Sequence, residues 1–199
     1  ATNNYGILMK SAGTGASRPR VMTDKGNYTS TTGIVSYDGN GDTDVEALNY
    51  YELRFNCSLS ADSVYTAMGA LTATNRISFS NISGNNLTFR LGGTTTTGAV
   101  YLAASAPATA VLDTTASNHS LTSGVISINA QSTLKANAST ITVTGSGTAG
   151  SRPFIKTGTF TPDTSTFVYT GTAATEIESA TYNNLSLTPA GTPTYTLGT

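Results

Sequence analysis

The chain has 199 residues, of which 11% are charged, and carries a formal net charge of -1. Its ten basic residues are scattered and form no stripe, so nucleic acid and anionic membrane surfaces are poor partners. No apolar run approaches the roughly 18 residues that span a bilayer, so membrane insertion is not expected. Thr (38), Ser (22) and Gly (20) dominate, and Thr suits a pleated, half-wet surface better than a helix interior.

In chain order, Ser17-Arg18-Pro19 reads as a turn set by proline with its arginine in solvent, and Arg152-Pro153 later in the chain reads the same way. Apolar and polar residues alternate from Gly33 to Tyr37, the period-2 pattern of a strand. Asp38-Gly39-Asn40-Gly41-Asp42-Thr43-Asp44 follows, with oxygen-bearing side chains at alternate positions. Calcium takes several hard oxygen ligands from a sharply turning backbone, so Asp38, Asn40, Asp42 and Asp44 are its candidate ligands, and Glu46 could add another. The competing reading is a polar hairpin turn, since Asp-Gly and Asn-Gly favour such geometry. Leu53, Phe55, Cys57 and Leu59 then share one strand face. Cys57 is the single cysteine, read as a buried strand residue; no disulfide framework can form within the chain. Further strands are predicted at Ile77 to Phe79, Leu87 to Leu91, Val125 to Ile128, Ile141 to Val143 and Thr164 to Tyr169. Gly, Asn and Pro clusters separate them, and no convincing helix is present.

Self-comparison reveals a repeat. Ser17-Arg18-Pro19 with Gly26-Asn27-Tyr28 reappears as Ser151-Arg152-Pro153 with Gly158-Thr159-Phe160. Tyr37 then matches Tyr169, Gly39 matches Gly171, Val45 matches Ile177, Tyr50 matches Tyr182, Leu53 matches Leu185, and Phe55 matches Leu187; Tyr65 falls near Tyr195. Residues 1–66 and 134–199 are two copies of one design, with 67–133 the remainder of the first period, and one continuous β structure is expected. The fold class is all-β, a β-solenoid of short stacked strands; the alternative is a β-sandwich domain in a repeat array or fibre. The period is longer than solenoid coils usually show, which speaks for the sandwich, whereas the short strands and close turns speak for the solenoid.

The stretches Ser132 to Val143, Thr157 to Tyr169 and Tyr182 to Leu187 resemble Thr/Ser/Gly-rich repeats of large bacterial surface proteins, the filamentous-haemagglutinin-like adhesins. The resemblance covers residues 112–199 most clearly and 26–70 less so, while 71–111 depart from it. It implies a β-solenoid, an extracellular or cell-surface location, and a structural or adhesive role with no catalytic residue.

The remaining chemistry is sparse. His119, the sole histidine, lies near Asp113 in sequence but has no nucleophile motif beside it, so an exposed turn residue is expected. A carbohydrate-active enzyme needs two carboxylates facing one cleft, and Glu176 with Glu178 read instead as a solvated strand edge. Repeated tyrosines read as packing rather than as a sugar platform. Asn-x-Ser/Thr triplets at Asn27, Asn56, Asn81, Asn86, Asn118, Asn137 and Asn184 arise readily by chance in such a chain. An ice-binding array would need regularly repeated Thr-x-Thr, and the spacing along the sequence is irregular. The expectation is a non-catalytic structural or adhesive element that assembles with itself end to end into a filament, or is continued by more repeat. A glycan-binding module is the alternative, followed by an enzyme.

Overall fold

The computed structural model describes residues 6–19 and 31–198. The Gly26-Asn27-Tyr28 anchor and the Asn27 triplet lie outside them. Every pair of strands in the described chain is parallel, and the strands stack as a β-solenoid of about eight turns. The solenoid reading therefore holds.

One sheet is built from β1 (Ile7–Met9), β2 (Ile34–Tyr37), β4 (Asn49–Phe55), β6 (Leu71–Phe79), β8 (Thr95–Leu102), β10 (Leu121–Ile128), β12 (Thr140–Val143), β15 (Thr166–Tyr169) and β17 (Asn184–Leu187), stacked in that order. A short strand, β13 (Phe154–Lys156), joins it by pairing with β10. A second sheet stacks β3 (Thr43–Val45), β5 (Ser63–Ala67), β7 (Leu87–Arg90), β9 (Ala110–Asp113), β11 (Ser132–Lys135) and β14 (Thr159–Thr161). The last two strands, β16 (Thr175–Ile177) and β18 (Tyr195–Leu197), pair with each other. The only helical turns among the described residues are short 3₁₀ turns at Gly15–Ser17 and Ala149–Ser151, which occupy equivalent places in the two copies.

The long strands β8 and β10 turn a corner midway. Leu121 and Ser123 point inward, but so do Ile126 and Ile128, so the in/out phase slips between them. The first halves continue into β12, β15 and β17, while the second halves stack with β2, β4 and β13. β15 and β17, the counterparts of β2 and β4, thus continue a different part of the long strands from the one on which β2 and β4 stack. Gly98 and Gly124 sit at this corner, and Gly145 and Gly171 continue the column. A Cβ on Gly124 would fall far inside van der Waals contact with the Gly98 carbonyl oxygen, and each later glycine meets its predecessor the same way.

The core is a stack of inward rungs. Val35, Leu53, Ile77, Val100, Ile126 and Phe154 form one column, all fully buried. Phe55 is surrounded by Tyr37, Tyr65, Phe79 and Phe89 with ring centroids 4.6 to 6.3 Å away. Hydroxyls also face inward, against the simple rule that strands bury apolar residues. Several are satisfied locally: Thr43, Ser63, Thr95 and Thr175 each donate to the carbonyl two residues back, and Thr97 and Ser123 to the carbonyl two residues ahead, whereas the buried Ser132 and Ser165 hydroxyls have no partner among the described residues.

Cys57 is buried; its thiol donates to the Tyr37 carbonyl at 3.1 Å and lies 3.2 Å from the Tyr65 hydroxyl. Burial pushes the thiol from 9.0 up to about 11 and the Tyr169 phenol from 10.0 up to about 12. Above about pH 9 the folded chain therefore binds more protons than the unfolded one, so stability present below that pH is lost as pH rises through these values. Urea midpoints measured between pH 8 and 11 should fall progressively, and Cys57→Ala should flatten the early part of that decline.

Candidate functional site

The acidic loop joins β2 to β3, and its oxygens diverge. Asp38 accepts from Ser36 Oγ at 2.7 Å, and Asn40 Oδ1 accepts from both the backbone N–H and the Oγ of Ser60. Asp42 Oδ1 accepts from the Val64 N–H at 2.8 Å, and Asp44 Oδ2 accepts from the Gly15 N–H at 2.6 Å. Among the described residues, no three His, Cys, Asp or Glu side chains are grouped as a metal would need. The same device runs on along the stack: Asp62 caps the Asn86 N–H, and Asn86 caps Thr109. The Asn86 N–H holds the Asp62 carboxyl below the usual carboxylate range.

Glu46 is buried at the following corner. Its N–H donates to the Tyr37 hydroxyl at 3.3 Å, and its carbonyl accepts from the Tyr50 hydroxyl at 2.6 Å. Copy two repeats the arrangement, with the Glu178 N–H on Tyr169 and the Tyr182 hydroxyl on the Glu178 carbonyl. The matched tyrosines are therefore corner pins. Tyr65 and Tyr195 confirm the register, each donating to the carbonyl of a matched glycine, Gly39 and Gly171.

Two sequence expectations need correction here. Arg152 does not extend into solvent; its Nη1 lies 2.8 Å from Glu176 Oε1, and its Nε lies 3.5 Å from Glu178 Oε2. Glu176 and Glu178 are thus no solvated edge, because Glu176 on β16 and Glu178 just after it both face this guanidinium, and Glu178 is buried. Glu176 also accepts from the Ala149 N–H, the counterpart of Asp44 on Gly15. Neighbouring residues carry no sign of this pairing, since the partners lie on adjacent coils, 24 and 26 residues apart.

Charge is also grouped where sequence reasoning did not look. Glu52, 3% exposed at its side chain, lies 2.7 Å from Arg54 and 3.0 Å from Arg76. Arg54, Arg76 and the half-exposed Tyr101 line a groove of about 380 Å³. His119 and Asp113 line another groove, of about 570 Å³, with Arg90 and Lys135. Asp113 Oδ1 is bonded there to the Thr115 N–H and to Asn137 Nδ2, so it serves its own turn.

The most exposed apolar surface lies at the C-terminal end. Leu185, Leu187 and Leu197 are 41%, 43% and 79% exposed. In copy one, Leu53 and Phe55 are fully buried because Ile77 and Phe79 of β6 stack on them, and Tyr65 is covered by Phe89 of β7. Among the described strands, β17 pairs only with β15, and β18 only with β16. Core positions of the design are therefore left open at one end, beside unpaired strand edges. Among the described residues the geometry is that of a parallel β-solenoid whose last coil leaves Leu185, Leu187 and Leu197 exposed. No protein-family model, curated protein or solved structure matches the chain.

Proposed function

We propose that this chain is a structural element of an extracellular or cell-surface protein, of the filamentous-haemagglutinin-like kind, whose C-terminal end stacks onto a second copy. The observation that carries this is the contrast between buried Leu53 and Phe55 and their exposed counterparts Leu185 and Leu187. The opposite end offers a match: β1 pairs only with β2 among the described strands, and its Ile7 and Met9 stack on Val35 and Tyr37 in the inward register. Joining unlike ends repeats head to tail and builds filaments rather than closed dimers. An open strand edge supplies the backbone hydrogen bonds for such a joint. An adhesive role would follow from the length so built, with the side faces free for contact. In this reading Asn40, Asp42 and Asp44 of the loop cap neighbouring coils.

Leu187→Arg places a charge in the joint and touches little else, since the residue is already exposed. Sedimentation velocity across rising concentration should show growing assemblies for the parent chain and a single slow species for the variant. Identical behaviour of the two would refute the joint.

A further inference from the structure

The first halves of the long strands carry an outward face that the sequence alone hides. Thr72, Thr96, Thr122 and Thr142 are register partners on β6, β8, β10 and β12. Two residues earlier in the chain come Thr94 and Ser120, each immediately before its strand, and Thr140, the first residue of β12, which pairs onward with Thr166. Three consecutive rungs thus read Thr94-x-Thr96, Ser120-x-Thr122 and Thr140-x-Thr142. The spacing looks irregular in sequence because the coils differ in length, from 18 residues between Phe167 and Leu185 to 26 between Thr95 and Leu121. Loops absorb the difference and the ladder restores the register.

None of these outward hydroxyls forms a hydrogen bond within the described residues, whereas the alternate, inward Thr95, Thr97 and Ser123 are all bonded. No charged residue stands at any of these outward positions. A parallel ladder sets such groups about 4.8 Å apart along the stack and about 6.7 Å apart along each strand. β-Branching restricts the threonine rotamers, so methyl and hydroxyl groups repeat in a fixed two-dimensional pattern at every position but Ser120. That grid lies close to the oxygen repeat on the prism faces of hexagonal ice, and an uncharged face suits an uncharged lattice. No aromatic ring stands among these residues to stack a sugar.

We infer that this threonine face binds ice, holding ordered water in the pattern of the lattice. The inference stands apart from end-to-end assembly, which uses the end of the stack and not its side. The test is to grow ice slowly from a dilute solution of the chain and measure its partition into the solid, with thermal hysteresis read on the same samples. The parent chain should enter the ice. Thr122→Lys and Thr96→Lys should be excluded from it while melting at the parent temperature, and Thr133→Lys, on the other sheet, should partition as the parent does. Exclusion of the parent chain, or undiminished partition of both face variants, would overturn the inference. So would exclusion from ice combined with retention on microcrystalline cellulose, which would assign the face to a polysaccharide.

Discussion

Gly124→Ala should destabilise the chain by about 3 kcal/mol, because the added methyl meets backbone and not a side chain that can rotate away. Gly98, Gly124, Gly145 and Gly171 stack where the strands turn the corner, each packed against the carbonyl oxygen of the residue below. Relief would require separating two coils, which would also break the ladder hydrogen bonds on either side, among them the Gly145 N–H to the Gly124 carbonyl at 3.0 Å. For a chain of this size the change corresponds to a fall of roughly 6–12 °C in melting temperature. Gly150→Ala is the matched control, since a Cβ there meets nothing within 4 Å. Thermal melts followed by far-UV circular dichroism should show a large shift for the first variant and almost none for the second.

Phe55→Ala should cost about 3–5 kcal/mol, the range for removing a fully packed aromatic ring. The ring contacts aromatics from four strands: Tyr37 on β2, Tyr65 on β5, Phe79 on β6 and Phe89 on β7. It therefore ties both main sheets together across three coils. Stacked repeats couple mainly to their neighbours, so the loss should be felt first in the N-terminal coils. Hydrogen exchange should show protection lost across β2 to β7 while β12 and β15 remain protected. Leu187→Ala, at the matched position of copy two, should cost far less, because that side chain has no coil above it.

The fold was legible where side chains alternate by hydrophobicity. Leu53 to Leu59, Leu87 to Leu91 and Ile141 to Val143 all turn the expected residues inward, and the matched tyrosines fall at equivalent corners. Strands β3, β5, β8 and β16 were not legible, because their buried positions include Thr43, Ser63, Thr95 and Thr175. A hydroxyl bonded to a nearby carbonyl behaves as an interior group, and composition cannot distinguish it from a surface one. The length of the period misled for a related reason. Copy one and copy two lie six rungs apart along the main sheet, so the 132-residue repeat contains several unequal coils and is not itself a coil.

The candidate site was less legible than the fold. Asp38, Asn40, Asp42 and Asp44 alternate as calcium ligands would; in the fold Asp38 bonds its own strand, Asn40 and Asp42 reach the following coil, and Asp44 reaches the preceding one. Arg152 shows the converse: its partners lie 24 and 26 residues away, a separation that only coil length explains. The open end was visible as the match of Leu53 with Leu185 and Phe55 with Leu187. Its exposure was not, since that depends on which coils follow in space.

Electron microscopy of the purified chain at rising concentration tests the central claim most directly. The account predicts unbranched filaments that lengthen with concentration, have the width of one solenoid, and are absent from Leu187→Arg samples. Dispersed monomers of the parent chain at every concentration would contradict it.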